Sequence, residues 1–171
     1  MQIQLIDPVL AKDLIKELDE YQSKLYPPNS CHLDSVEILK NDNVYFYGAI
    51  DNKEIIAIGS VKVYSDYGEL KRIYVPPIQR RKGLAKKIIH QLETLLISKD
   101  IFLSRLETGP YSKDAINLYQ KLGYSICRKF GHYKDDPLST FMEKRLKKVN
   151  QKKLKRHFNL VRHIKCSINK N

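Results

Sequence analysis

The stretch Leu70-Lys71-Arg72-Ile73-Tyr74-Val75-Pro76-Pro77-Ile78-Gln79-Arg80-Arg81-Lys82-Gly83-Leu84-Ala85 constrains this chain more than any other. Glu69 to Val75 reads as a strand, and Pro76-Pro77 stops it because proline cannot donate to a ladder. A basic turn with a single glycine follows. Leu84 to Ile97 is then an amphipathic helix, with Leu84, Ala85, Ile88, Ile89, Leu92, Leu95 and Leu96 facing inward. A helix N-terminus presents unpaired N–H groups and about half a positive charge. A pyrophosphate can sit against it only where the backbone comes close, which Gly83 and Ala85 permit. Arg80, Arg81 and Lys82 add positive charge at the same place. In isolation the turn reads first as a solvated basic loop before a surface helix. It matches neither Gly-x-x-x-x-Gly-Lys-Ser/Thr nor Gly-x-Gly-x-x-Gly.

Around this turn the pattern is mixed. Ile3 and Leu5 alternate with Gln2 and Gln4 as a short opening strand. Asp7-Pro8 starts a helix, with Asp7 as N-cap and Val9, Leu10, Leu14, Ile15, Leu18 and Tyr21 on its apolar face. A shorter helix is expected over Asp34 to Lys40. Val44 to Ile50, Glu54 to Tyr64 and Glu69 to Val75 are strands joined by connections short enough for an antiparallel meander. After the Leu84 helix come a strand (Ile101 to Glu107), a helix opened by Ser112 or Asp114 and capped by Gly123, and strands Tyr124 to Lys129 and Ser139 to Arg145. The order predicts an α/β (α+β) fold, a mixed sheet flanked by helices.

Bulk properties narrow the function. The length of 171 residues, with 42% hydrophobic and 29% charged, suits one globular domain. No stretch reaches the roughly 20 apolar residues of a membrane span. The first residues lack the basic and apolar regions of a secretory signal, so a cytoplasmic location is expected. Cys31, Cys127 and Cys166 are scattered without metal-ligand spacing and read as reduced thiols. No metal site is expected. The net charge is +12, and residues 147–171 hold nine Lys or Arg and no acid, which leaves +3 for residues 1–146.

Val75-x-Pro77-x-x-Arg80-x-x-Gly83-x-Ala85 resembles the acetyl-coenzyme A signature of GNAT acetyltransferases, Val-x-Pro-x-x-Arg/Gln-x-x-Gly-x-Gly/Ala. Ala115-Ile116-Asn117-Leu118-Tyr119-Gln120-Lys121-Leu122-Gly123-Tyr124 resembles their second hallmark, Ala-x-x-Leu-Tyr-x-x-x-Gly-Phe/Tyr. The resemblance covers almost all of residues 1–146. Leu25-Tyr26-Pro27-Pro28, Gly68-Glu69-Leu70-Lys71-Arg72, Leu106-Glu107-Thr108-Gly109 and the Phe130 to Ser139 segment look like a small bacterial subgroup. It implies a GNAT domain over 1–146, built on a mostly antiparallel sheet of about seven strands with about four helices. It also implies direct transfer of an acetyl group from acetyl-CoA, as cosubstrate, to the amine of a small molecule. Protein or aminoacyl-tRNA amines are alternative acceptors, and a non-catalytic coenzyme-binding module is an alternative of another class.

Carried over residue by residue, the resemblance assigns coenzyme contacts to Ile73, Tyr74, Val75, Arg80, Arg81, Lys82, Gly83, Leu84, Ala85 and Ser112, the last standing where many relatives have Asn. Tyr119 looks like the general acid that protonates the departing thiolate. Alkylamines are mostly protonated at neutral pH, so a base helps, and Glu107 and Glu69 are its candidates. Either could instead be a salt-bridge carboxylate with Arg72 or Arg105. Tyr26, Asn29, His32, His132 and Tyr133 are expected over the acceptor, with Asp135 and Asp136 either attracting a cationic amine or capping a turn. Residues 147–171 read as a basic helical extension, docked on its own domain or a neighbouring subunit of a homodimer. Membrane or nucleic-acid contact through it has charge alone in its favour.

Overall fold

The computed structural model describes residues 1–148. Its strands are β1 (Gln2–Leu5), β2 (Val44–Asp51), β3 (Glu54–Val63), β4 (Gly68–Tyr74), β5 (Leu103–Thr108), β6 (Ser125–Ile126) and β7 (Thr140–Arg145). Its helices are α1 (Lys12–Leu25), α2 (Val36–Leu39), α3 (Leu84–Ser98) and α4 (Lys113–Lys121). The seven strands form one sheet in the order β1-β2-β3-β4-β5-β7-β6. Every neighbouring pair is antiparallel except β4 with β5. The α/β architecture and the strand count agree with the sequence reading.

Local chemistry explains the meander. Asn52 and Lys53 both take positive φ, 47° and 70°, the geometry that a two-residue hairpin loop demands. Strand alternation then sorts the apolar side chains between two layers. Tyr47, Ala49, Ala57 and Val61 pack with Ile88, Ile89, Leu92 and Leu96 of α3 and with Tyr119 of α4. Phe46, Val44 and Ile58 pack on the other face with Ile15 and Leu18 of α1 and Leu39 of α2. Burying such a side chain contributes roughly 1.5–3 kcal/mol, so the two layers lock the sheet and fix where its strands end.

Two irregularities in β4 make room for a site. Ile58 pairs with Tyr74 but Ser60 pairs with Lys71, so a β-bulge sits at Arg72 and Ile73, opposite Gly59. Arg72 takes φ 58°, and its guanidinium is held by the Asp19 carboxylate and the Asp34 carbonyl. A Cβ on Gly59 would meet Ile88 Cγ2 at 2.5 Å, so helix α3 needs glycine there. In addition, parallel pairing of β4 with β5 covers only Gly68–Ser104 to Leu70–Leu106. Beyond Leu70 and Leu106 the two strands diverge.

Three expectations change in detail. The first helix begins as a 3-10 turn, Pro8–Ala11, capped by Asp7 through a 2.9 Å bond from Val9 N–H. The second begins after Ser35, whose Oγ accepts from Ile38 N–H. The strand expected over Tyr124 to Lys129 shrinks to Ser125–Ile126. After Cys127 N–H bonds Phe141 O at 3.0 Å, Phe130 turns inward to pack with Tyr67 and Phe141, which pulls the chain off the sheet edge. Leu146 is buried and its N–H bonds Phe102 O at 2.8 Å. The helical extension read over 147–171 lies outside the described residues from 149 on. Among the described residues no helix is long and apolar enough to cross a membrane.

Candidate active site

The divergence of β4 from β5 opens a groove of about 1100 Å³. It runs from the N-terminus of α3, past the exposed edges of both strands and α4, to the loop that follows α1.

At the α3 end, Gly83 is the residue before the helix, with φ 74° and no heavy atom within 4 Å of where a Cβ would lie. Arg81 also takes a left-handed φ of 63°. These two conformations lead the chain into α3, where Leu84, Ala85 and Lys86, whose first-turn N–H groups lack intrahelical partners, line the groove. Arg80 is anchored by an Nε–H bond to Val75 O at 3.1 Å. Arg81 and Lys86 line the same end. Lys82 instead reaches back to Gln79 Oε1 at 2.8 Å and does not line the groove.

The middle is built by β4, β5 and α4. Ile73, Tyr74 and Val75 line the groove along the unpaired part of β4. Ser112 shares a 3.1 Å hydrogen bond with the hydroxyl of Tyr26, which also accepts from Tyr111 N–H at 3.0 Å. Tyr26 packs against Gly109, where a Cβ would fall 2.0 Å from the ring. It therefore ties the end of α1 to the β5–α4 connection. Tyr119 is buried on α4, edge-on to Tyr124. Burial, and then the charge of Glu107, push its phenol above its ordinary range.

Glu107 lines the groove from β5. Burial raises its carboxyl to about 7, and the Ser139 hydroxyl, which donates to Oε1 at 2.8 Å, opposes the rise. Glu69 is in a different situation. It is buried, accepts from the hydroxyls of Tyr133 and Tyr64, and has Lys71 Nζ 3.5 Å from Oε1. Lys71 also lies 3.6 Å from Asp34 Oδ2 and 3.4 Å from the Tyr133 hydroxyl. Neither carboxylate pairs with the arginines considered from sequence. Arg72 is held by Asp19, and Arg105 pairs with Glu143 at 3.0 Å.

His32 and Tyr133 meet edge-on at the far end, both lining the groove. Burial, then Lys71, lowers the imidazole below its usual range, which favours the neutral ring. Asn29 and His132 are exposed and do not line the groove. Asp135 pairs with Lys129 within the late loop, whereas Asp136 accepts both from Leu138 N–H at 2.8 Å and from Ser30, which joins the late loop to the loop after α1. The sequence reading missed Lys71 and Ser139. Both acquire their place through residues far along the chain, and neither carries a local signal.

Residues 11–124 match the model of the Acetyltransferase (GNAT) family. An IAA acetyltransferase from Azospirillum brasilense is 35% identical over 135 residues, spanning 78% of this chain and 88% of that protein. The crystal structure of a candidate acyl-CoA N-acyltransferase from Klebsiella pneumoniae superposes with a TM-score of 0.71 at 31% identity, covering 85% of this chain and 97% of that one. The PaiA N-acetyltransferase from Thermoplasma acidophilum, solved in complex with coenzyme A, shares the fold with a TM-score of 0.66 at 19% identity, covering 85% and 99%.

Proposed function

The chain belongs to the acetyltransferase (GNAT) family, and from that premise we propose that residues 1–146 transfer an acetyl group from acetyl-CoA directly to the amine of a small molecule. The observation that carries this reading is one groove that holds both Glu107 and Tyr119 and ends on the open N-terminus of α3. The free N–H groups of α3, with Arg80 and Arg81, would hold the pyrophosphate of the cosubstrate. The unpaired backbone of β4 beyond Leu70 would take its amide-bearing arm as a sheet takes a neighbouring strand.

The proton steps follow from the two raised pKa values. With its carboxyl at about 7, Glu107 is partly ionised at neutral pH and strong enough as a base to draw the proton from an ammonium, directly or through one water. The neutral amine then attacks the thioester carbonyl. Backbone N–H groups near Ile73 to Val75 meet the oxyanion. Tyr119 stays protonated until the thiolate departs and then gives its proton to the sulfur. The second proton that the nitrogen sheds on becoming an amide passes, directly or through water, to the phenolate and restores it. The two groups are coupled, because the Glu107 charge is part of what holds the phenol proton. Once Glu107 takes the amine proton that charge is gone, and Tyr119 becomes the better acid when the sulfur leaves.

Calorimetry with acetyl-CoA, followed by thiol release across a panel of amines, tests the proposal. Saturable binding with turnover on one amine class is expected. Absence of coenzyme binding would overturn it.

A further inference from the structure

The late loop, expected from sequence to cover the acceptor, sets Tyr133 on the groove lining and contributes a second element. Asp136 closes a turn in which its carboxylate accepts from Leu138 N–H at 2.8 Å and its carbonyl from Ser139 N–H at 3.0 Å. This fixes Ser139 one residue before β7. The antiparallel register then pairs Thr140 with Thr108 and Phe141 with Glu107. Turn and register together bring the Ser139 hydroxyl 2.8 Å from Oε1 of Glu107, 32 positions away in sequence.

We propose that Ser139 is a positioning residue for the base: by donating to Oε1 it fixes the carboxylate plane and leaves Oε2 to take the proton of the acceptor amine. This rests on the reading of Glu107 as the base. A hydroxyl in that place stabilises the ionised form, because it donates to a charge and cannot be matched as well by a neutral carboxyl. The other groups facing Glu107 are Lys71 and Glu69 on β4, Asp136 in the turn, Tyr119 on α4 and Cys31 after α1. Among these neighbours Ser139 is the one that hydrogen-bonds the Glu107 carboxylate.

The test labels the glutamate carboxyls of the full chain with carbon-13 and follows the resonance that disappears in Glu107→Gln. In Ser139→Ala its titration midpoint should rise by about one unit. Ser139→Thr should return it towards the starting value. Ser139→Val, which has the shape of threonine without the hydroxyl, should behave as alanine does. The acid limb of kcat/KM, measured with acetyl-CoA and the amine of the panel that turns over fastest, should move with the midpoint. An unmoved midpoint in both Ser139→Ala and Ser139→Val, with the rate lost in Glu107→Gln, would overturn the role of Ser139 alone. An unchanged rate in Glu107→Gln would overturn the reading of Glu107 as base, and the positioning role with it.

Discussion

The two ends of the groove are built in opposite ways. At the α3 end the working parts are backbone N–H groups and solvent-facing arginines, delivered by one continuous run of residues from Val75 to Lys86. At the other end they are side chains largely withdrawn from solvent, Glu69 buried and the others half-buried. Glu69, Lys71, Tyr133, Glu107 and Ser139 come from two strands and a loop, and each depends on another for its charge or direction. A local, exposed turn tolerates substitution of its neighbours but not of the position that must let a phosphate approach. A buried cluster answers to every change in its members, because each unmatched group keeps its desolvation penalty.

That contrast can be broken by substitution. Replacing Glu107 by Gln keeps its shape and removes its proton affinity. Steady-state kinetics should show kcat/KM falling about 10³-fold, while calorimetry returns unchanged acetyl-CoA affinity. Weakened coenzyme binding would mean that the ends are not separate. Gly83→Asp makes the complementary change. It places a carboxylate where phosphate is expected and should weaken acetyl-CoA binding about 100-fold, with the Tyr119 and Glu107 environments intact by NMR.

Stability sharpens the comparison further. The folded chain keeps the Glu107 proton up to about pH 7, whereas the free side chain loses it near 4.5. Wild type therefore loses stability relative to Glu107→Gln as pH rises through that window, and the difference is fully present above 7. Denaturant titrations at pH 4.5 and pH 8 should show the variant gaining about 3 kcal/mol relative to wild type on going to the higher pH. The smallest effect is expected for Tyr119→Phe. Turnover should drop about tenfold, with coenzyme affinity unchanged, because water can still protonate the sulfur.

The sequence was most informative where physics is local. Pro76-Pro77, Gly83 and the apolar face from Leu84 set a strand end, a turn and a helix within reach of one another, so their placement needed no tertiary knowledge. The helix that carries Tyr119 followed from its pattern and from Gly123, whose φ of 90° closes it, while the role given to Tyr119 came from the family resemblance. The bulge at Arg72 was not legible, because it is fixed by Asp19, Asp34 and the close packing of α3 over Gly59. Ser139 and Lys71 were missed for the same reason. Tyr26 was read as a contact to the acceptor, and its hydroxyl braces Ser112 and Tyr111. Asn29 and His132 were chosen from loops whose course no short-range rule determines, and both lie off the groove lining.

The parting of β4 and β5 also bears on how the chain behaves when empty. Protein sheets normally keep their unpaired edges at the outside, blunted by charge, proline or short length. Here two lengths of edge lie inside the sheet, between strands that are adjacent in its order. Another chain's extended segment could add to either of them. Saturating the groove with acetyl-CoA would occupy that space and remove the template, so the cosubstrate should also suppress self-association on storage or heating.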